Sequence, residues 1–248
     1  MEKRLDRINE KISLYQYVDG FSYGTDAVLV AAFCRAKKGQ IGADLGTGTG
    51  IIPTLICHHK NPSKMFAFEV QEDYVALARE NAEINGFSER IEVIHDNVES
   101  ITPSYLRSRG VEAVDFVVSN PPYMKMTSGA LGLSERKIGA RHEKWSDIDG
   151  FARAGANLLK NGGDMYIVYR PDRLCDLIYA LRQNGLEPKE MVMVKSFSHT
   201  EPCLVLVRAK KSAESSLKLS ELIIYREKDV YTEEMERVYR DSVIDYGK

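Results

Sequence analysis

Residues 40–50 decide the fold. They read Q-I-G-A-D-L-G-T-G-T-G and run directly into an apolar segment that begins at Ile51. A short apolar run ends at Asp44, a glycine-rich turn follows, and the next residues have the composition of a helix. Strand, glycine turn and helix in this order are typical of a nucleotide-like ligand bound at the carboxyl end of a parallel sheet. A glycine turn is also an ordinary tight connection in α/β proteins, so further residues have to support the ligand.

The residue types in this turn favour one class of ligand. Gly46, Gly48 and Gly50 allow the backbone to approach a ligand without a Cβ in the way. The helix that follows offers free N–H groups at its N-terminus. Asp44 is an acid where a pyrophosphate would be repelled and a cationic amino-acid group attracted. The turn therefore favours S-adenosylmethionine over NAD.

Composition and charge narrow the class of protein. The 248 residues are 44% hydrophobic and have a formal net charge of −2, so a basic surface for nucleic acid has to be local. We find no run of about 18 apolar residues and no signal-peptide core, so we expect a cytoplasmic protein without a membrane span. The four cysteines form no C-x-x-C pair, and the neighbours His58 and His59 point to different helix faces. We therefore expect no metal site.

The second and third predicted strands, residues 65–70 and 91–95, both lead to acidic side chains. Glu69 lies 19 residues after the last glycine of the turn, an offset at which an acid accepts hydrogen bonds from a ribose diol. A role as helix N-cap is the alternative. Asp96 and Asn97 follow the third strand, where they could bind the amino edge of an adenine ring. Both residue types are also common in turns.

The fourth predicted strand, residues 114–119, leads into Asn120-Pro121-Pro122-Tyr123, the most specific motif of the chain. Prolines start turns, but N-P-P in this place of a βαβ series is hard to explain as a chance turn. An adenine amino nitrogen is a poor nucleophile because its lone pair is delocalised into the ring. Asn120 and Pro121 would supply carbonyl oxygens that accept both N6 hydrogens. Pro122 would stiffen the loop, and Tyr123 would stack on the base.

Helices and strands continue to alternate after this motif. We predict a helix over residues 145–159, a strand over 164–169, a helix over 173–183, and two strands, 188–194 and 203–208, that pair antiparallel. Five strands linked by helices and a closing hairpin predict an α/β fold. Its sheet is doubly wound and mostly parallel, with an antiparallel last strand.

We expect a single domain over residues 1–248, in three parts. These are an N-terminal lid segment (1–34), the core fold (35–211) and a C-terminal extension (212–248) that ends in an amphipathic helix. Within the lid segment, Asp26 or Thr25 can cap a short helix that ends near residue 33. The alternative is that both residues face the methionine end of the cofactor.

Together these residues resemble the class I S-adenosylmethionine-dependent methyltransferases of the N-P-P-Y type. The glycine turn, Glu69, Asp96-Asn97 and the N-P-P-Y motif come in the order of that family, over about residues 20–210. The resemblance implies a Rossmann-like, seven-stranded sheet and methylation of an amino group. More narrowly, residues 24–29 and 140–143 resemble the bacterial tRNA(Val) adenine-N6-methyltransferases, which act on adenine-37 beside the anticodon.

The resemblance also implies a cofactor and a set of site residues. The cofactor is S-adenosyl-L-methionine, and its product is S-adenosyl-L-homocysteine. The predicted cofactor-binding residues are Thr25, Asp26, Asp44, Gly46, Thr47, Gly48, Gly50, Glu69, Val70, Asp96, Asn97 and Asn120. The predicted catalytic residues are Asn120, Pro121, Pro122 and Tyr123.

The segment after the motif, residues 124–145, indicates an RNA partner. It has five basic and two acidic residues, a formal charge of +3 inside a chain of negative net charge. Beside the catalytic loop this favours a surface for RNA phosphates, with Tyr123, Lys125 and Arg141 as the predicted substrate contacts. A solvated loop with accidental charge is the alternative. The resemblance implies tRNA as the RNA partner, and a base in an anticodon loop is already unpaired or easily splayed, which lowers the cost of flipping it.

Other functions share parts of this pattern. N5-methylation of a glutamine in a release factor would use N-P-P-Y in the same way. Such enzymes have a sizeable helical domain before the fold, whereas fewer than about 40 residues precede the first strand that we predict here. Guanine-N2 methyltransferases of ribosomal RNA more often contain N-P-P-F, and DNA adenine methyltransferases usually need a recognition domain. An NAD-dependent oxidoreductase would explain the glycines and Glu69 but gives residues 120–123 no role.

Overall fold

The computed structural model describes residues 2–18, 20, 24–122 and 147–244. The α helices of this part of the chain are α1 (Thr25–Phe33), α2 (Ile51–Lys60), α3 (Glu72–Ile84), α4 (Ile148–Leu158), α5 (Leu174–Gln183) and α6 (Glu233–Asp241). Its strands are β1 (Lys3–Arg7), β2 (Ser13–Tyr17), β3 (Ile41–Leu45), β4 (Lys64–Glu69), β5 (Ile91–His95), β6 (Val114–Ser119), β7 (Leu159–Tyr169), β8 (Leu186–Lys195), β9 (Pro202–Lys211), β10 (Lys218–Ile223), β11 (Tyr225–Glu227) and β12 (Val230–Tyr231). Short 3₁₀ helices occupy Val98–Ser100, Arg107–Arg109 and Pro171–Arg173.

The main sheet has the order β10-β8-β9-β7-β6-β3-β4-β5. Only β9 runs against its neighbours, since it pairs antiparallel with both β7 and β8, while every other pair in this sheet is parallel. Strand order reverses between β3 and β6, and ligands of open α/β sheets bind at such a switch point. The predicted fold class is therefore confirmed.

Helices cover both faces of the main sheet. One buried cluster joins the sheet to α1, α2, α3 and α6, and a second cluster joins it to α4, α5 and the 3₁₀ segments. Strand β4 illustrates why its residues are apolar on both sides: Met65 and Ala67 belong to the first cluster, Phe66 and Phe68 to the second. Strands buried on both faces favour such continuous apolar runs.

The structure differs from the predicted elements in three places. Among the described residues the main sheet has eight strands instead of seven, because β10 of the C-terminal extension pairs with β8 and buries Leu222. The connection from β5 to β6 contains 3₁₀ turns instead of an α-helix. Strand β7 begins at Leu159, before the predicted residue 164, since a shift in its pairing with β6 accommodates the extra residues around Gly162.

The first residues form a separate hairpin, β1–β2, that lies outside the main sheet. Helix α1 is buried from Ala27 to Phe33 and packs against α2 and β7. The division of the chain into lid, core and extension stays a prediction. Among the described residues, no helix has the length and apolar character that crossing a bilayer requires.

Candidate cofactor and methyl-transfer site

The parallel pairing brings four strand ends to one edge of the sheet. Leu45 of β3 aligns with Phe68 of β4 and with Ser119 of β6. Glu69 of β4 aligns with His95 of β5. The side chains predicted to bind the cofactor after β3, β4 and β5 therefore lie at the same edge as the loop that follows β6.

The glycine turn after β3 has the backbone that the sequence predicts. Gly46, Gly48 and Gly50 have φ values of +73°, +55° and +80°, in the left-handed region that disfavours other residues. A Cβ on Gly50 would lie 3.3 Å from the Cβ of Ala78 in α3, whereas a Cβ on Gly48 would meet open space. Gly48 is thus the open point of the turn, where a ligand can approach the backbone.

Asp44 is a buried acid with an unused acceptor. Its side chain is 0% exposed, its Oδ2 accepts a 2.6 Å hydrogen bond from the Thr47 hydroxyl, and its Oδ1 has no hydrogen-bond partner among the described residues. Burial raises the pKa of Asp44 to about 7, although the Thr47 hydrogen bond lowers it; the charge of Glu69 raises it further. A buried acceptor without a partner is costly, and a cationic donor would relieve that cost. The site therefore fits the amino-acid ammonium of the predicted cofactor.

Glu69 ties the glycine turn to the start of α3. Its Oε2 accepts from the Gly48 N–H at 2.9 Å, and its Oε1 accepts from the N–H groups of Val70 and Gln71 at 3.0 and 2.9 Å. Burial raises the pKa of Glu69 against the lowering effect of these hydrogen bonds. The acid is at the predicted strand end, and Val70 lies beside it. Their contacts with a ribose stay a prediction.

Asp96 is held in place by three donors. Its Oδ1 accepts from the Asn97 N–H and the Ser100 hydroxyl, both at 2.7 Å, and its Oδ2 accepts from the Tyr105 hydroxyl. Burial alone would raise the pKa of Asp96, but these hydrogen bonds outweigh it and lower the pKa. Asn97 caps the following 3₁₀ helix through Oδ1, which accepts from the Glu99 N–H at 3.0 Å. Both residues directly follow the carboxyl end of β5, as predicted, and their contact with an adenine ring stays a prediction.

Tyr105 donates a hydrogen bond to Asp96, a predicted site residue, and the sequence analysis missed this contact because nothing in the pattern relates the two residues. We expect Tyr105→Phe to raise the KM for the cofactor about fivefold with little change in kcat, since one hydrogen bond is worth about 1 kcal/mol. The Tyr105 ring packs edge-on against Phe68, and phenylalanine keeps that contact. Steady-state kinetics at varied cofactor concentration measure the effect. Tyr179→Phe, at an exposed tyrosine, is the control, and equal KM values for both variants would contradict the role.

The N-P-P loop begins at the same edge. The Ser119 hydroxyl donates a 2.8 Å hydrogen bond to the Leu45 carbonyl and so fixes the end of β6 to the end of β3. Asn120 is half-buried, Pro121 is buried and Pro122 is half-buried. Three predicted site residues, Tyr123, Lys125 and Arg141, lie outside the described residues.

Thr25 and Asp26 are the first two residues of α1, and both are half-buried. The prediction that one of them caps the helix is wrong, because the N-cap is Gly24 and makes no side-chain hydrogen bond. Asp26 Oδ1 instead accepts from the N–H of Ala27 at 2.8 Å. Their predicted position near the methionine end of the cofactor stays a prediction.

The described residues contain no group of three or more His, Cys, Asp or Glu side chains that could hold a metal ion. His58 and His59 lie on α2 with ring centroids 4.6 Å apart, and burial lowers the pKa of both.

The strand order and the glycine turn after β3 are those of the Rossmann-like fold of class I methyltransferases. A crystal structure of a predicted O-methyltransferase from Agrobacterium tumefaciens has the same fold, with a TM-score of 0.72 and 20% identity over 89% of this chain and 98% of that one. The family model of the methyltransferase small domain matches residues 18–175, more than half of the chain. The chain belongs to this family.

Two curated proteins are similar over nearly their whole length. One, from Phocaeicola vulgatus, is 28% identical over 225 residues, which is 91% of this chain and 92% of the relative. The other, from Parabacteroides distasonis, is 25% identical over 232 residues, which is 94% of both chains. Both bear the name tRNA1(Val) (adenine(37)-N6)-methyltransferase.

Proposed function

We propose that this protein is a cytoplasmic enzyme that transfers a methyl group from S-adenosylmethionine to N6 of an unpaired adenine in RNA, and that this base is adenine-37 of a tRNA. The observation that carries the proposal is the meeting of two features at one sheet edge. One is the buried, unpartnered Oδ1 of Asp44, and the other is the Asn120-Pro121-Pro122 loop fixed beside it by Ser119. The names of the two relatives support the choice of substrate.

The cofactor fits the described residues at two points. Its ammonium group would donate a hydrogen bond to Oδ1 of Asp44. The bound cofactor would also lie against the backbone of the glycine turn at Gly48, where an added Cβ would meet open space. Glu69 and Asp96 would bind the ribose and the adenine edge. When bound, S-adenosylmethionine supplies an activated methyl group.

The N-P-P loop would position the target base. The side-chain oxygen of Asn120 and the carbonyl of Pro121 accept the two N6 hydrogens, so that the nitrogen lone pair points towards the methyl group. Tyr123 stacks on the base, a contact worth about 1–3 kcal/mol. Positioning of this kind can supply up to roughly 7–11 kcal/mol of the barrier. The amine proton leaves to water after the transfer.

The proposal is tested by transfer of labelled methyl groups to unmodified bulk tRNA, with a release factor as a parallel substrate. Nucleoside mass spectrometry then identifies the product. N6-methyladenosine in tRNA is the expected result. Label in the release factor alone would instead assign glutamine methylation, and labelled N2-methylguanosine after incubation with ribosomal RNA would assign the guanine reaction.

The RNA surface gives a separate prediction. Reversal of charge at Lys125 and Arg141 should weaken tRNA binding. It should also make the slope of the logarithm of the association constant against the logarithm of the salt concentration shallower by about 1.4–1.8, since each phosphate contact contributes about 0.7–0.9. Titrations at several salt concentrations measure the slope. The control is Lys37→Glu with Lys38→Glu, because these exposed lysines precede β3 and lie at the opposite edge of the sheet. Equal slopes for the two double variants would place the RNA surface elsewhere.

A further inference from the structure

Asn81 is a fully buried amide in the last turn of α3, on the side of the helix that faces the glycine turn. Its side chain is 0% exposed. The residue one turn earlier, Ala78, lies against Gly50, where an added Cβ would come within 3.3 Å. A buried polar side chain at such a helix contact has to be explained by the hydrogen bonds it makes.

The Asn81 side chain joins two segments that are far apart in the chain. Its Oδ1 accepts from the N–H of Tyr15 at 2.7 Å, and its Nδ2 donates to the carbonyl of Tyr15 at 3.0 Å. The second hydrogen of Nδ2 goes to the carbonyl of Thr49, at 2.9 Å. One amide therefore links strand β2 of the N-terminal hairpin to the glycine turn.

Asn85 makes the same pair of hydrogen bonds to the backbone of β2 as Asn81. Its Oδ1 accepts from the N–H of Ser13 at 3.2 Å, and its Nδ2 donates to the carbonyl of Ser13 at 2.8 Å. The two asparagines are four residues apart on a helix, a rise of about 6 Å, and the two strand residues are two apart, about 6.7 Å. Helix α3 thus pairs with the free edge of β2 through two side-chain amides.

The second donor of each amide distinguishes the two residues. Asn85, the C-cap residue of α3, donates to the carbonyl of Asn81 in the last turn of the same helix, at 2.7 Å. Asn81 donates to Thr49, whose peptide bond leads into Gly50 of the cofactor turn. The two bonds to Tyr15 fix the plane of the Asn81 amide, so the hairpin determines where its remaining N–H points.

We propose that Asn81 is a positioning residue for the cofactor, through which the N-terminal hairpin holds the glycine turn in its binding conformation. This inference rests on the proposed function, because it requires that the turn binds S-adenosylmethionine. The Thr49 carbonyl is drawn towards α3, and the peptide that leads into Gly50 is oriented with it. Loss of the amide frees this peptide and lowers cofactor affinity without changing the N-P-P loop.

Asn81→Ala and Asn85→Ala are the matched pair that tests the proposal. Each variant removes the two bonds to β2, but only the first removes the bond to the turn. We expect both to lower the melting temperature of the apo protein, and only Asn81→Ala to weaken binding of S-adenosylhomocysteine, by about tenfold. The KM for the cofactor should rise by the same factor while kcat at saturating cofactor stays within twofold. Calorimetry and steady-state kinetics measure the two effects.

Several outcomes would overturn the proposal. Equal losses of affinity in the two variants would assign the effect to the bonds with β2 that both variants remove, and not to the Thr49 bond. Unchanged affinity in Asn81→Ala would mean that the Thr49 bond has no role. Asn81→Ser keeps a small polar side chain that is too short to bridge both segments, and it replaces Asn81→Ala if that variant does not fold. Failure of the wild-type protein to bind S-adenosylhomocysteine would instead refute the proposed function itself.

Discussion

Asn120→Ala is expected to reduce methyl transfer to RNA by at least about 10²–10³-fold while cofactor affinity stays within about threefold. In the proposed mechanism the side-chain oxygen of Asn120 would accept one N6 hydrogen, and single hydrogen-bonding groups of active sites are worth about that factor in kcat. The expected effect on the cofactor is small because Asp44, Glu69 and Asp96 keep their contacts around the turn and the strand ends. Single-turnover assays with labelled cofactor measure the transfer step.

Asn120→Asp is the matched variant, because a carboxylate has the same shape and keeps an acceptor oxygen. It should retain more activity than the alanine variant at a pH where the acid is ionised. A large loss of cofactor affinity in either variant would show that Asn120 acts on the cofactor and not on the base. Equal inactivity of both variants with intact affinity would leave the acceptor role without support.

The sequence predicted those parts of the site that are local in the chain. The glycine turn is one example, since Gly46, Gly48 and Gly50 have the left-handed φ values that only a glycine adopts without strain. The alignment of the strand ends is another, since Leu45 of β3 aligns with Ser119 of β6 and with Phe68, the residue before Glu69, and consecutive βαβ units place their carboxyl ends together.

The sequence could not predict the contacts that join distant segments. Tyr105 and Asp96 meet because the 3₁₀ turns between β5 and β6 fold back, and a turn-rich segment has no periodic pattern to reveal this. Asn81 and Tyr15 are 66 residues apart, and their hydrogen bonds use the backbone of Tyr15, which is the same for every residue type. β10 was missed because its run of apolar residues is short and its edge position leaves Leu219 exposed.

Asp44→Asn is expected to weaken binding of S-adenosylhomocysteine by at least about 100-fold at pH 8 while the protein stays folded. The ammonium group of the ligand would pair with a buried carboxylate, and removal of one partner of a buried ion pair costs about 3–5 kcal/mol. Asparagine still accepts the Thr47 hydrogen bond and removes a buried charge that has an oxygen without a partner among the described residues. The substitution therefore weakens ligand binding, while in the ligand-free protein it removes the energetic cost of burying a charged carboxylate.

The pH dependence of binding separates this role from a loss of shape. In the free protein burial raises the pKa of Asp44 to about 7, so the carboxyl is largely protonated at pH 6. The cationic ligand favours the ionised form, so binding below pH 7 releases a proton. Wild-type affinity should then rise with pH by up to about tenfold per unit and level off above pH 7. The asparagine variant should show no such rise.

The same shift predicts the stability of the apo protein. Between the ordinary pKa of an aspartate and about 7, the folded state holds a proton on Asp44 that the unfolded state has lost, so this group makes the free energy of unfolding fall as pH rises. Asp44→Asn should remove that fall, which unfolding measured at several pH values would show.

Asp115→Asn is the control for the pH dependence of cofactor binding, because Asp115 lies at the start of β6, where its bond to Lys160 helps to lower its pKa. If the control and Asp44→Asn had the same pH profile of cofactor binding, the profile would belong to another group, and the buried carboxylate would not be the ammonium acceptor.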